Sequence, residues 1–242
     1  MASRLEQSPG MQGLCVVDFL IVLPSYRSAS KLHERFIREL VRATGAGVVE
    51  PDAGSPNICH ARCLLADTAY QAPESVHLWI DDDTIAKVDD ALSLVEQCAA
   101  GKRIVGADYA AKESGTGRLT AGFGSGKRSY FAAGSTMPVK WLGFGMVAVH
   151  RTVLTAMIKE LAPVRVRGRS VHPYFISAPD PKYGDYPSSD VWFCRRAAEL
   201  GIQSWCDTRI RIMHEGPYSY GIEDAMMSLS RPDKLTLESE DP

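Results

Sequence analysis

The first half of the chain alternates strictly between short apolar runs and amphipathic stretches, and this constrains the fold more than any other feature. Val16 to Leu23 is apolar except for Asp18 and ends in Pro24-Ser25-Tyr26, as a buried strand feeding a loop would. Lys31 to Arg42 follows with helical spacing, placing Leu32, Phe36, Leu40 and Val41 near one face. Gly47 to Glu50 reads as a second strand, and Ile58 to Tyr70 as a helix capped by Asn57. Val76 to Ile80 is a third strand. Val88 to Cys98 repeats apolar residues at i, i+3, i+4 and i+7, and Arg103 to Ala107 is a fourth strand. Strand and helix taking turns in this way predict an α/β fold with a mostly parallel sheet covered by helices on both faces.

The second half changes character. Gly115 to Gly134 is glycine-rich and reads as irregular strands or a hairpin, and Gly122 to Lys127 lacks the spacing of a phosphate loop. Trp141 to His150 is an apolar strand carrying Gly143 and Gly145, and Thr152 to Leu161 is a helix. Val164 to Pro187 offers no regular element and reads as a lid. Within it Arg165, Arg167 and Arg169 alternate, which on one extended strand places them on one side. They would either reach a diphosphate or an acidic acceptor, or form a solvated basic face. Tyr174, Phe175, Tyr183 and Tyr186 would either stack on a ligand or pack the loop. Asp190 to Leu200 is a helix closed by Gly201, and Gln203 to Cys206 and Arg209 to Met213 are short strands. Residues 1 to 13 and 231 to 242 read as tails.

Charge and cysteines narrow the class. A formal net charge of -2 is far from that of a nucleic-acid coat or a polybasic membrane anchor. No apolar run is long enough to span a bilayer, and none is followed by a leader cleavage site. The six cysteines form no C-x-x-C pair, and Cys59, His60 and Cys63 read as helix packing rather than a metal cluster. Reduced thiols and no export signal predict a cytoplasmic protein without a membrane span.

Chemistry concentrates in three places. Asp81, Asp82 and Asp83 follow the third strand directly, where α/β sheets bind ligands. Carboxylates gathered there suit a hard cation such as Mg2+ or Mn2+, and equally suit the N-terminus of the next helix. Asp190 opens a helix and is either a general base or a helix-end acid. His214 follows an apolar strand and is either a metal ligand or a structural histidine.

In this order and spacing, the three resemble the GT-A glycosyltransferases, in particular the inverting glycosyltransferase family 2. Val22 to Arg27, including Pro24, Ser25 and Tyr26, resembles the strand and loop that cradle the nucleotide. Trp79-Ile80-Asp81-Asp82-Asp83 resembles the D-x-D motif, which implies Asp81 and Asp82 toward the nucleotide sugar and Asp83 toward the metal. Asn57 and Arg62 match an N-x-x-x-A-R pattern near the donor site, and Glu50 or Asp52 would contact the nucleobase. Trp141 and Gly143 resemble the strand before the acceptor side, and Ser189 to Ala197 the E-D-x-x-F-C-x-R-A stretch whose Asp is the base. Ser189 departs from that pattern, standing where the family has Glu beside the acceptor. Arg209 to His214 resembles the strand bringing a histidine to the metal.

The resemblance implies a GT-A (Rossmann-like) fold and a hexosyltransferase-like enzyme using Mn2+ or Mg2+. The donor would be a nucleoside-diphosphate sugar, UDP-linked, with inversion at the anomeric carbon. Asp190 would be the base; Asp81, Asp83 and His214 would serve the metal. Trp141, Gly143, Ser189, Arg167 and Tyr186 would lie on the acceptor or lid side. One catalytic domain is expected over residues 14 to 230, with a nucleotide half (14 to 110), an acceptor half (111 to 230) and a lid (164 to 187). The acceptor class stays open among glycan, natural product, protein and modified nucleobase, and so does homo-oligomerisation.

Three rival readings use the same residues. A nucleotidyltransferase shares the fold and metal logic but releases pyrophosphate. A haloacid-dehalogenase-like phosphatase also uses D-x-D, but on its first strand and with Thr four residues after the first Asp, where this chain has Ile85. A binding module without turnover would take up the nucleotide alone.

Overall fold

The computed structural model describes residues 17–24, 30–51, 57–111, 119–166, 168–215, 219–220 and 234–239. The elements are β1 (Phe19–Val22), α1 (Lys31–Thr44), β2 (Gly47–Val49), α2 (Ile58–Gln71), β3 (Val76–Ile80), β4 (Thr84–Ile85), α3 (Val88–Ala99) and β5 (Ile104–Gly106). Then follow β6 (Gly126–Phe131), β7 (Thr136–Val139), β8 (Met146–His150), α4 (Arg151–Ile158), β9 (Val164–Val166), β10 (Arg169–Val171), α5 (Ser189–Glu199), β11 (Ser204–Asp207), β12 (Met213–Glu215), β13 (Ser219–Tyr220) and β14 (Lys234–Ser239).

A seven-stranded sheet runs in the order β2-β1-β3-β8-β5-β11-β7. Strands β1, β2, β3, β5 and β11 point one way; β8 runs against β3 and β5, and β7 against β11. This is a mostly parallel sheet of an α/β fold, covered by helices on both faces. Strand β8, from the second half of the chain, sits between β3 and β5 of the first, so the two halves share one sheet.

Because successive strand residues face opposite ways, apolar strands build two cores. Phe19 and Ile21 pack with Leu78, Met146 and Ala148 beneath α1 and α3. Leu20 and Val22 pack with Trp79, Val147 and Val149 beneath α2, α4 and α5. Helix α1 is set by Ser30, whose hydroxyl accepts from His33 N at 3.1 Å, and closes at Gly45 with φ 70°. That left-handed conformation is costly for any residue with a Cβ.

Several expectations are corrected. Leu32 is 50% exposed, and His33, Phe36 and Leu40 form the buried face of α1. His33 is held inward by its Nδ1, 2.8 Å from Thr84 O. The strand expected over 141 to 150 begins at Met146, and the one expected over 209 to 213 begins at Met213. Residues 234–239 of the expected tail form β14, paired antiparallel along all of β6. The lid is not structureless: β9 and β10 make a hairpin, and Tyr174 and Phe175 are buried in the core. Phe175 stacks on Phe193 with ring centroids 4.7 Å apart and touches Trp79 and Phe144. These aromatics pack the loop because the α2 and α5 face of the sheet needs covering. The alternation of arginines also fails, since the hairpin registers Arg169 with Val166 and Arg165 with Ser170. Arg165 and Arg169 therefore lie on opposite faces; Arg167 is outside the described residues.

Candidate active site

Three chain segments meet where the parallel strands end. Strand β3 delivers Asp81, whose N–H donates to Gly145 O at 3.1 Å. A turn then carries Asp82, which is buried, and Asp83 into β4. Strand β12 pairs with β4 so that His214 registers with Thr84. This pairing brings His214 Nε2 to 3.1 Å from Asp83 Oδ1. Helix α5 begins at Ser189, with Ser188 as its N-cap, and so places Asp190 in its first turn.

Arg62 joins these pieces. Asn57 caps α2 by accepting from Cys59 N at 2.9 Å, and Arg62 lies one turn further on. Its Nη2 donates to both oxygens of Asp81 at 2.9 Å, and its Nη1 donates to Ser189 Oγ at 3.1 Å and to Asp190 Oδ1. Phe144 and Phe175 flank the guanidinium, with their centroids 5.5 and 5.7 Å from Cζ. The Arg62 side chain is only 4% exposed. Burial works against its charge, but Asp190 and Asp81 outweigh burial and hold it protonated above its ordinary range. Asp190 has two further donors: Phe144 N–H reaches Oδ2 at 3.1 Å and the Ser189 hydroxyl reaches Oδ1 at 3.1 Å. At Asp81, burial pushes the carboxyl up to about 6; Arg62 pulls against this and Asp190 adds to it.

The Asp83 and His214 pair fits a divalent cation. Two neighbouring ligands of an octahedral ion with bonds of about 2.1 Å lie about 3 Å apart, which is the spacing seen. An oxygen and an imidazole nitrogen together suit Mn2+. Among the described residues no group of three or more His, Cys, Asp or Glu is placed to hold a metal, so the remaining positions would fall to substrate and water. Asp81, expected near the metal, accepts from Arg62 through both oxygens.

The other expected residues are more scattered. Pro24 is buried directly after β1, and Asn57 serves as the cap of α2. Ser189 is buried between Arg62 and Asp190. Gly143 is buried, and a Cβ there would lie 2.7 Å from Tyr109 Oη. Trp141 packs its indole across Gly122. Tyr186 is 65% exposed and donates its hydroxyl to Ser177 O at 2.9 Å. Arg169 lines a cleft of about 540 Å³ with Asp67 and Gln71, further along α2 than Arg62. Ser25, Tyr26, Asp52 and Arg167 lie outside the described residues.

Sequence reasoning missed Tyr109. Its ring meets His214 edge-on with centroids 4.9 Å apart, and its hydroxyl accepts from Gly145 N at 3.0 Å. The signal was the pair Gly143 and Gly145, since glycines entering an apolar strand mark a close approach. A Cβ at Gly145 would sit 2.7 Å from the Tyr109 ring. Asp108 was missed as well. It is buried and accepts from Tyr109 N, Thr120 N, Ala121 N and Tyr130 Oη at 2.8 to 3.1 Å, tying the chain after β5 to β6.

No protein-family model matches this chain, and no curated protein matches it. Among solved structures it is similar to A197 from STIV, with a TM-score of 0.59 at 13% identity, over 93% of this chain and 95% of that one. At that identity the likeness is one of fold. Weaker likenesses include GalNAc-T7 with UDP, GalNAc and Mn2+, with a TM-score of 0.43 at 11% identity. There the match covers 82% of this chain but 37% of GalNAc-T7. S. aureus TarS 1–349 gives 0.42 at 11% identity, over 89% of this chain and 67% of that one. Among the described residues, no helix is long and apolar enough to cross a membrane.

Proposed function

We propose that this chain is a metal-dependent glycosyltransferase that moves a sugar from a UDP-sugar to an acceptor hydroxyl with inversion. One observation carries the reading. Asp81 and Asp83 after β3, His214 on β12 and Asp190 opening α5 converge at one end of the sheet, with Arg62 bonded to Asp81 and Asp190. Neither a helix-end acid nor a structural histidine requires this convergence.

In this reading Asp83 and His214 would hold Mn2+ or Mg2+, which when bound neutralises charge on the leaving diphosphate. Arg62, bonded to Asp81, would meet phosphate oxygens there, for which a guanidinium is suited. Asp190 is the general base. Phe144 N–H fixes its carboxylate through Oδ2, and the carboxylate takes the proton of the acceptor hydroxyl. That hydroxyl attacks the anomeric carbon opposite the leaving group, which inverts the centre. The residue pair and the donor are proposed on the resemblance and on this convergence; one catalytic domain over 14 to 230 belongs to the same proposal.

A panel of nucleotide sugars with Mn2+ tests the reading, with slow donor hydrolysis and a ligand-induced rise in melting temperature as readouts. One UDP-sugar is expected to give both, releasing UDP rather than pyrophosphate. Asp190→Asn is expected to lower turnover by about 10² to 10⁴ while UDP still binds. Unchanged turnover in that variant, or pyrophosphate as product, overturns the assignment.

A further inference from the structure

We infer that Arg62 masks Asp190 until the donor diphosphate draws the guanidinium away, so that Arg62 is a positioning residue coupling donor binding to exposure of the base. This rests on the donor-site reading above and adds an order of events to it.

Two observations carry it. The first is the crowding of Oδ1 of Asp190. A carboxylate has about four lone-pair sites for hydrogen bonds, and Asp190 already receives Arg62, Ser189 and Phe144 N–H. Its Oδ1 carries both Arg62 and Ser189, and its Oδ2 carries Phe144 N–H. So engaged, Oδ1 is covered by a buried cation and a hydroxyl, and a substrate hydroxyl must displace one of them to reach it. The second lies in Arg62 itself. Its Nε–H is buried and has no hydrogen-bond partner among the described residues, although both Nη groups are engaged. A buried donor left unmade is unfavourable, so the guanidinium has unmet capacity for one more acceptor in the resting site.

A diphosphate offers that acceptor in competition with Asp190. Arg62 already touches Asp81, on the same turn as Asp83, so it stands beside the position proposed for the diphosphate. Movement of Nη1 and Nε toward phosphate oxygens frees Oδ1. The base is then exposed only when donor is present, and an acceptor hydroxyl or water arriving first meets a masked carboxylate.

The inference predicts an effect of unusual sign. If Asp190 competes with diphosphate for Arg62, removing its charge tightens binding of the diphosphate. Simple relief of repulsion between carboxylate and phosphate would also tighten it, but without needing Arg62. Calorimetric titration of UDP with Mg2+ into wild type, Asp190→Asn, Arg62→Gln and the double variant separates the two. Circular dichroism verifies that each is folded, and Arg62→Met, equally without charge, replaces Arg62→Gln if the latter is not.

Asp190→Asn is expected to bind UDP about tenfold more tightly than wild type, and this gain is expected to fall within twofold of zero effect when Arg62 is replaced. Unchanged or weaker binding in Asp190→Asn overturns the inference while leaving the donor site intact. A gain that persists undiminished without Arg62 overturns it too, in favour of plain repulsion. Absence of UDP binding by wild type overturns the donor-site reading itself and the inference with it.

Discussion

At the scale of single residues, the groups of the proposed site were more legible than the residues packed around them. Asp81, Asp83, Asp190, Arg62 and His214 stand out in the sequence because carboxylates, arginine and histidine at element ends are chemically conspicuous. Tyr109 and Asp108 do not, because their roles depend on partners 12 to 105 residues away in the chain. The close approach at Gly145 gives a direct test. Gly145→Ala forces a Cβ against a buried ring, so it is expected to cost about 1 to 3 kcal/mol and to shift the His214 ring resonances that Tyr109 shields. His77 gives another. It is fully buried in β3, neither ring nitrogen has a hydrogen-bond partner among the described residues, and burial lowers its pKa from 6.5 to about 4. The folded state therefore holds His77 neutral where the unfolded chain would protonate it. Its contribution to stability is complete above pH 6.5 and is lost as pH falls toward 4, at about 1.4 kcal/mol per pH unit. Urea midpoints at pH 5 and pH 7.5 are expected to differ less in His77→Leu than in wild type.

At the scale of elements, alternation in the first half announced its strands and helices to within a few residues, because each apolar run there is bounded by turn residues or a cap. The segment 164 to 187 was opaque. Its prolines and charges hide a hairpin of two three-residue strands, and the burial of Tyr174 and Phe175 is dictated by Trp79, Phe144 and Phe193 elsewhere in the chain. What ties this segment down is Asp67 on α2, which accepts from His172 N, His172 Nδ1 and Tyr174 Oη, each at 3.0 Å. Asp67→Ala leaves those donors without their acceptor. It is expected to cost about 2 kcal/mol and to speed proteolysis between residues 164 and 187, read by mass spectrometry of the fragments. Strand β14 was equally hidden, since β6, its partner among the described residues, lies about a hundred residues earlier. Ending the chain at residue 230 is expected to remove hydrogen-exchange protection from amides of Gly126–Phe131 that β14 covers.

At the scale of the whole molecule, the sheet order decides how the parts depend on one another. Strand β8 pairs with β3 along five residues and with β5 along three, so residues on both sides of the nominal halves contribute to one hydrogen-bonded ladder. A single cooperative unfolding transition is expected, with tryptophan fluorescence and far-ultraviolet circular dichroism giving the same midpoint. Two separated transitions would show that the halves fold independently. The order of synthesis gives the same insertion a temporal meaning. A nascent chain that has emerged only as far as residue 140 holds β3 and β5 but not the strand that belongs between them. Each then presents a bare edge of apolar residues, the kind of edge that recruits foreign strands. The ribosome must therefore carry this protein through a vulnerable interval that ends only when Met146–His150 threads into its slot.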